Sequence, residues 1–446
     1  MSKSRDLTSG SISKNLIQLT LPMMLGMISM VAFNLIDTYF VGKLGKQELA
    51  ALSFTFPVIM VIFSIIQGIG IGATALISKS IGKGDRKKAS RETTDSIILT
   101  LLLTGIFVVL GLLTITPTMK LLGADGATAE MAGKYMRIWY FALFFVSVPF
   151  VGNSAIRSTG DAQTPTYIML FAVLVNAILD PILIFGYLGA PALGLEGAAI
   201  ATAISRGLTM VLAFYVLIRR EKLITFEIPT IKVLSGCWQS ILFIALPSAL
   251  ARLVVPVATG IITAMLASYG EFAVAAFGVG SRIEFLANSL VFALAASIGP
   301  FVGQNLGKGE YGRMREAVSI SNRFSLVWGL FAWGLLALLA RPIASIFNSN
   351  EEVIATVTLF LWIVPAGYGL QGILSIINSN LNTINKPLQA SLLIVVQMLV
   401  IGLPLIYLGK EFLQVKGIFM GLAATYLLGG LISILMNRQV MNRFQN

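Results

Sequence analysis

Two carboxylic acids in the sequence each lie close to an amide, inside long stretches of apolar residues. Asn34 and Asp37 are three residues apart, and Asn176 and Asp180 are four apart, so each pair shares one face of a helix. A carboxyl group among apolar side chains, near a second carboxyl group, can bind and release a proton near neutral pH. Asp37 and Asp180 are therefore candidates for proton exchange, although such residues also cross-link helices through hydrogen bonds.

The chain lacks the residues that other common catalytic and metal-binding sites require. There is no histidine and a single cysteine, Cys237, which rules out a Ser/His/Asp triad, a cluster of histidine or cysteine metal ligands, and a disulfide. The glycine-rich turns at 82–85 and 307–310 lack the GxxxxGK[ST] pattern of a phosphate-binding loop. We predict that the protein is not an enzyme and has neither a metal nor an organic cofactor.

Charged residues are scarce along the whole chain. Of 446 residues, 56% are hydrophobic and 12% are charged, whereas soluble proteins carry about a quarter charged residues. This composition excludes soluble enzymes and nucleic-acid-binding modules and predicts an all-α polytopic membrane protein. Twelve apolar stretches reach the ~20 residues that a helix needs to cross the hydrocarbon core. The polar N-terminus has no small-residue cleavage site after it, so we predict no signal peptide.

The net charge of +12 comes mainly from loops on one side of the predicted membrane. Of the 32 basic residues, 21 fall on the side of the N-terminus, eight on the opposite side and three inside spans. This bias predicts a protein of the inner (cytoplasmic) cell membrane with both termini in the cytoplasm. The basic loops lack the interleaved aromatic residues of a nucleic-acid groove, so we expect them to contact membrane lipids and not nucleic acid.

The chain repeats itself at an offset of 225 residues. Leu21-Pro22 matches Leu246-Pro247, and the turn at 82–85 matches the turn at 307–310. An ordered series of such matches across two thirds of each half indicates a duplication.

The duplication predicts two pseudo-symmetric bundles of six transmembrane helices each. We place the N-terminal lobe at 1–218, a charged cytoplasmic linker at 219–237 and the C-terminal lobe at 238–446. Because six is even, both copies enter the membrane from the same side and are parallel repeats. Transporters of this design bind cargo near the bilayer midplane and alternate between inward-open and outward-open states.

Two further features of the spans bear on such a cycle. Pro22 and Gly26 give the first helix a place to bend, although a static kink would explain them equally well. Glu284 and Arg282 are two residues apart and cannot stack on one face of their helix, so we expect each to form an ion pair with a group on another helix or in the other lobe. Arg252 is expected either to pair with a carboxylate or to line the cavity.

Several segments together resemble the multidrug and toxic compound extrusion (MATE) family of transporters, in the wider MOP superfamily, along essentially the whole chain. They are the segments 34–45, 82–85, 157–161 and 194–202. The resemblance implies two six-helix lobes and the export of cationic or amphipathic compounds, driven by a proton or sodium gradient.

Within that family the chain is more similar to the DinF-like branch. NorM-branch proteins have cation-linked acids in helices seven and ten, whereas residues 238–270 and 353–380 here contain no carboxylate. The resemblance carries over a coupling site made of Asp37, Asn176 and Asp180. The residues expected to line the same N-terminal cavity are Asn34, Tyr135, Asn153 and Thr202.

The predicted function is secondary active multidrug efflux, in which a monomer exports cationic or amphipathic compounds by antiport with H+ through alternating access. Sodium coupling at the same residues is one alternative, because carboxylate and amide oxygens also suit a hard cation. A flippase for lipid-linked sugars is another, although Arg206, Arg252 and Arg282 provide few charges for a pyrophosphate cargo. The duplication disfavours a channel, and the lack of histidine disfavours a membrane-embedded enzyme.

Overall fold

The computed structural model describes residues 5–442, and all regular secondary structure in that range is helical. The α-helices are α1 (Ile12–Gly42), α2 (Lys46–Gly82), α3 (Arg86–Leu121), α4 (Gly126–Ser158), α5 (Gln163–Phe185), α6 (Gly194–Tyr215), α7 (Ile231–Ala267), α8 (Glu271–Lys308), α9 (Tyr311–Leu338), α10 (Ala340–Phe347), α11 (Glu351–Ile363), α12 (Tyr368–Thr383), α13 (Pro387–Val395) and α14 (Leu403–Met441). A π-helical turn, Val216–Arg220, extends α6, and another, Val396–Gly402, joins α13 to α14. The predicted all-α fold is confirmed.

Membrane spans account for nearly all of these helices. Within residues 5–442, ten helical segments are long and apolar enough to cross a bilayer, and α9 with α10, bent by 70°, makes an eleventh. One of the ten, Pro387–Met441, has 55 residues, which would be about 80 Å of straight helix against a hydrocarbon core of about 30 Å. That segment therefore has to contain two spans.

The break in Pro387–Met441 lies at Leu413 and Gln414, whose backbone angles are not helical. A Cβ atom placed on Gly409 would lie 3.2 Å from the Cα atom of Gly417, although residues eight apart in a straight helix are about 12 Å apart. The chain thus reverses direction here, and the two glycines allow the two arms of the hairpin to touch. Counting the hairpin as two spans gives the twelve predicted helices.

Contacts between Cα atoms divide the chain into two compact units. Unit 1 contains Leu25–Leu246 and the first residues up to Asp6, and unit 2 contains Leu7–Met24 and the chain from Pro247 onward. The divisions fall inside α1 and α7, next to Pro22 and at Pro247, which the internal repeat matches to each other. The units are defined by packing and not by the extent of the repeats. The lobe limits of 1–218 and 238–446 therefore stay a prediction.

Each unit contains a helix that packs against three others and has a largely buried apolar window. In unit 1 this helix is α4, which packs against α2, α3 and α6, and α5 in turn packs against α6. In unit 2 it is α8, which packs against α9, α11 and α12. Two thirds of the most apolar window of α4 and of α8 is buried, compared with one third for α2 and α3. The buried side of α4 includes the polar side chains of Tyr135, Ser147 and Ser154.

Hydrogen bonds attach the predicted linker to unit 1. The backbone N–H of Thr225 donates to Thr94 Oγ1 at 3.0 Å, and the backbone oxygen of Glu227 accepts from Arg91 at 2.5 Å. Helix α7 already begins at Ile231, so only the residues between Arg220 and Ile231 are extended. The charged residues in and around this segment fix it to α3.

Asp161 holds the start of this linker. Its carboxylate accepts hydrogen bonds from the backbone N–H groups of Gln163 and Thr164, both at 3.0 Å, and forms an ion pair with Arg220 at 2.5 Å. Asp161 is 3% exposed, so removing it leaves the first turn of α5 without its cap and Arg220 with Glu221 as its remaining ionic partner. The carboxylate joins the helix start to the linker.

We expect Asp161→Ala to destabilise the protein by about 2–4 kcal/mol, because it removes a helix cap and breaks a largely buried ion pair. The measurement is thermal unfolding of purified protein in detergent. Glu227→Ala is the control, since its carboxylate forms only an exposed pair with Lys87 at 3.7 Å and should contribute less than about 1 kcal/mol. Equal losses from the two variants would contradict a specific role for Asp161.

Candidate functional site

Helix α5 places an amide and a carboxylate together in the interior of unit 1. Asn176 and Asp180 are both fully buried, and Asn176 Nδ2 donates to Asp180 Oδ1 at 3.0 Å. The four-residue spacing puts one side chain directly above the other on the helix. This confirms the shared face that the sequence indicates, and it fixes the orientation of the Asp180 carboxylate.

Asp37 of α1 belongs to the same group. Its carboxylate lies close enough to Asp180 for the two charges to interact, and Tyr135 of α4 lies close to both. Tyr135 is 3% exposed. We call Asp37, Tyr135, Asn176 and Asp180 the acidic cluster. Helices α1, α4 and α5 thus bring the two predicted acids near each other.

Arg206 of α6 is the counter-charge that the sequence left unassigned. Its guanidinium carbon lies 4.2 Å from the centre of the Phe33 ring, its Nη1 contacts Met169 Sδ at 3.3 Å, and its charge acts on Asp37. Among the described residues the arginine forms no ion pair with Asp37. Phe33 and Asp37 are four residues apart on α1, so a cation over the ring lies beside the carboxylate.

Several oxygen atoms of this region accept no hydrogen bond from the described residues. They include Asp37 Oδ1, Asn176 Oδ1 and Asp180 Oδ2, and in the nearby helix α4 also Asn153 Oδ1. A buried acceptor without a donor is costly, and such atoms in native proteins are normally satisfied by a proton, a cation or water. The acidic cluster thus offers oxygen ligands and proton acceptors in the apolar interior of unit 1.

The other predicted cavity residues make no hydrogen bond to the cluster among the described residues, and Asn153 is 18 residues from Tyr135, about 27 Å along α4. Thr202 of α6 is 8% exposed, and its carbonyl oxygen accepts from Ser205 at 3.0 Å. Asn34 is exposed, and its Nδ2 donates to the Met30 carbonyl at 3.1 Å. The role of Asn34, Asn153 and Thr202 in the cavity stays a prediction.

The predicted hinge residues lie in an unbroken helix. Pro22 is inside α1, and the division between units falls between Met24 and Leu25, two to three residues further on. A Cβ atom on Gly26 would lie 3.4 Å from Thr166 Oγ1, so α1 packs closely against α5 at this point.

Glu284 in unit 2 has a different partner from the predicted one. Its Oε1 accepts a hydrogen bond from Tyr426 Oη at 2.7 Å, and it forms no ion pair with Arg282 or Arg252 among the described residues. Residues two apart point to opposite sides of a helix, which directs Arg282 away from Glu284. The predicted ion pair is therefore absent from this structure.

Comparison with known proteins agrees with this architecture. The sequence profile of the MatE family matches residues 22–182 and 247–408, two stretches that begin at Pro22 and Pro247, the matched prolines of the repeat. The chain belongs to the MATE family. Proteins of this family are membrane transporters and not enzymes. The predictions that this protein is a transporter and that it is not an enzyme are therefore confirmed. Assignment to the DinF-like branch stays a prediction.

Two curated relatives span nearly the whole chain. An FAD transporter of Shewanella oneidensis is 36% identical over 425 residues, covering 95% of this chain and 94% of the relative. The multidrug export protein MepA of Staphylococcus saprophyticus is 24% identical over 409 residues, covering 92% of this chain and 89% of the relative. Both are transport proteins, but they differ in the kind of cargo that their names state.

A solved structure matches the fold over its full length. The crystal structure of the Vibrio cholerae MATE transporter VcmN in the bent form has a TM-score of 0.93 and 31% identity to this chain, and the match covers 99% of each. The twelve-helix fold, as two six-helix halves in a multi-pass membrane protein, is thereby confirmed.

The close contact at Gly26 leads to a test of the site's packing. We expect Gly26→Leu to lower the stability of the protein by about 1–3 kcal/mol, because the larger side chain has to push α1 away from α5. Gly105→Leu is the matched control, since nothing lies within 4 Å of a Cβ atom at that helical glycine. Thermal unfolding in detergent compares them, and a stable Gly26→Leu protein would show that α1 and α5 can separate freely.

Proposed function

We propose that this MATE protein is a secondary active efflux transporter that exchanges H+ for its cargo at the acidic cluster. The observation that carries the proposal is the pair of carboxylates, Asp37 and Asp180, which approach each other inside unit 1 with acceptor oxygens left unpaired. A buried carboxyl group near a second one favours binding of a proton by one of the two, because neutralising one of them removes the repulsion between them.

Proton binding at the cluster would change the forces on α1. With Asp37 ionised, the carboxylate is attracted to Arg206, which Phe33 and Met169 hold in place. Protonation removes that attraction and also the repulsion from Asp180. Since α1 contributes residues to both units, a shift of α1 links the charge state of the cluster to the packing of each unit. The proton and the cargo would then be bound in alternation during one transport cycle.

Sodium is the alternative coupling ion at the same residues. Carboxylate and amide oxygens of Asp37, Asn176 and Asp180 form a donor set that a hard cation also accepts. A proton needs only one carboxylate oxygen, whereas sodium needs several oxygens at once. Loss of the Asn176 oxygen should therefore weaken sodium coupling more than proton coupling.

The orientation and setting of the protein are part of the proposal. The excess of basic residues in loops on the N-terminal side supports cytoplasmic termini in the inner membrane. Because one duplicated chain supplies both halves, a monomer is the functional form that we propose.

Cargo is supported by two different relatives. The name of MepA supports multidrug export, and thus the cationic or amphipathic compounds that the sequence predicts. The FAD transporter is the more similar of the two at 36% identity, and it supports a flavin dinucleotide as a second candidate cargo. The two classes differ in charge, so they make opposite demands on the cavity.

Proton coupling predicts that Asp37→Asn and Asp180→Asn each abolish efflux driven by a pH gradient, because an amide cannot exchange a proton. Ethidium efflux from proteoliposomes is the measurement, with empty liposomes as the baseline. Asp125→Asn is the control, since Asp125 is exposed at the start of α4 and its side chain makes no capping bond there. Efflux that persists in both cluster variants would overturn the proposal.

A second set of gradients distinguishes H+ from Na+ as the coupling ion. Proteoliposomes with a sodium gradient and equal pH on both sides should retain ethidium, and those with a pH gradient and no sodium should lose it. The reverse result would assign sodium to the cluster. Loading the same vesicles with FAD and following its fluorescence outside then shows whether the second candidate is carried.

A further inference from the structure

Two arginines lie deep inside the membrane spans of unit 2. Arg252 is 15 residues before the end of α7 at Ala267, and Arg282 is 11 residues after the start of α8 at Glu271. Residues 268–270 join the two helices, so both depths are measured from the same side of the membrane. At 1.5 Å per residue, the arginines lie about 22 Å and about 17 Å from that side.

Arg252 points away from the apolar surface of α7. Most of the large exposed apolar residues of this helix lie along one stripe that includes Leu246, Leu250, Val257 and Ile261, whereas exposed Val255 lies nearer to Arg252. Arg252 is about 180° round the helix from that stripe. The polar residues Ser248, Thr259 and Thr263 fall on its side of the helix. This pattern places Arg252 on the polar face of α7.

Arg282 lies on the exposed face of α8, a helix whose most apolar window is two thirds buried. The exposed positions one and two turns before it are Gly278 and Ala275, which are too small to cover a side chain against lipid. One turn after it, Phe285 and Leu286 are exposed, at 37% and 55%. A small-residue surface, a cation and an apolar surface thus follow one another along α8.

Neither guanidinium group has a partner within residues 5–442, where no hydrogen bond, ion pair or ring contact involves Arg252 or Arg282. The acid of the same region, Glu284, is on the opposite side of α8 and accepts from Tyr426. A free charge in hydrocarbon is costly, and intramembrane arginines almost always face a water-filled cavity or a charged ligand.

We infer that Arg252 and Arg282 form a site for the phosphate or pyrophosphate group of an amphipathic organic anion, with the Phe285 and Leu286 surface beside it for the apolar part. The planar guanidinium group binds phosphate oxygens through two parallel hydrogen bonds, which an ammonium group cannot reproduce. This inference rests on the proposed transport function, since it names the cargo class that the transporter accepts. A soluble nucleotide-like phosphate and a lipid-linked pyrophosphate both contain the required group.

Binding to purified protein in detergent tests the site without any transport step. FMN and riboflavin share the isoalloxazine ring and differ by one phosphate, so FMN should bind more tightly than riboflavin. Arg252→Gln and Arg282→Gln should each weaken FMN binding about tenfold or more, as expected for a lost charged hydrogen-bond pair, and leave riboflavin unchanged. Arg→Lys at either position should give an intermediate loss, because the charge remains and the paired geometry does not.

Arg323→Gln is the matched control, because Arg323 is exposed on α9 and its removal changes the net charge equally. FMN that binds both site variants as tightly as this control would overturn the inference. ADP and farnesyl pyrophosphate separate the two sources of the group. Tighter binding of ADP assigns a soluble nucleotide-like cargo, and tighter binding of farnesyl pyrophosphate assigns a lipid-linked one; no binding of either would again reject the site.

Failure of this inference can be told apart from failure of the proposed function. Asp37→Asn should retain arginine-dependent FMN binding while losing efflux driven by the pH gradient. If wild-type efflux needs Asp37 but FMN binding does not need the arginines, the anion site is wrong and proton coupling stands. If FMN binding needs the arginines but no cargo responds to a pH gradient, the site stands and proton coupling is wrong.

Discussion

A charged side chain in the hydrocarbon core of a bilayer loses its hydration at a cost of about 2.5–3.5 kcal/mol on the lenient insertion scale. The few ionisable residues inside these spans therefore mark the positions at which the protein needs a charge. Asp37 and Asp180 are placed beside an amide, a tyrosine and Arg206, while Glu284 is hydrogen-bonded to Tyr426. Each acid has a polar environment that only tertiary packing supplies, and the rest of the fold has to hold these environments in place.

The duplication provides that framework, yet its two copies have diverged in charge. In the second copy, the positions that correspond to Asp37 and Asp180 at offsets of 225 and 222 are Ile262 and Gly402. The arginines show the reverse, since Arg252 and Arg282 correspond to Met27 and Pro57 in the first copy. Unit 1 therefore has the acids suited to a coupling ion, and unit 2 has unpaired cations. One ancestral bundle gave two halves with different chemistry.

Helices α1 and α7 each contain residues of both units. Helix α1 has Asp37 in its unit 1 part and begins in unit 2, where Thr20 Oγ1 donates to Ser297 Oγ at 3.2 Å. The residues before α1 are bound to unit 2 as well, because Gln304 Oε1 accepts from Leu7 N at 3.0 Å and Arg313 donates to the Gly10 carbonyl at 2.9 Å. The N-terminal end of α1 is thus hydrogen-bonded within unit 2.

Much of this architecture could be predicted from the sequence, because the membrane imposes a simple rule on composition. Apolar length predicts the twelve spans, the offset of 225 predicts the duplication, and the i, i+4 spacing predicts that Asn176 and Asp180 share a face. These are local properties of single helices or of the chain compared with itself. The bond between Glu284 and Tyr426 joins residues 142 apart, which no local pattern encodes.

The sequence by itself thus determined the class of protein, its repeats and the acids worth testing, since burial of charge in a membrane is costly wherever the helix packs. Tertiary structure decided which groups meet: that Asp37 and Asp180 approach each other, that Arg206 lies over Phe33, and that Arg252 and Arg282 have no counter-charge among residues 5–442. Electrostatic interactions depend on distances across helices. Those distances follow from close contacts, such as Gly26 against Thr166, that exist only in the folded chain.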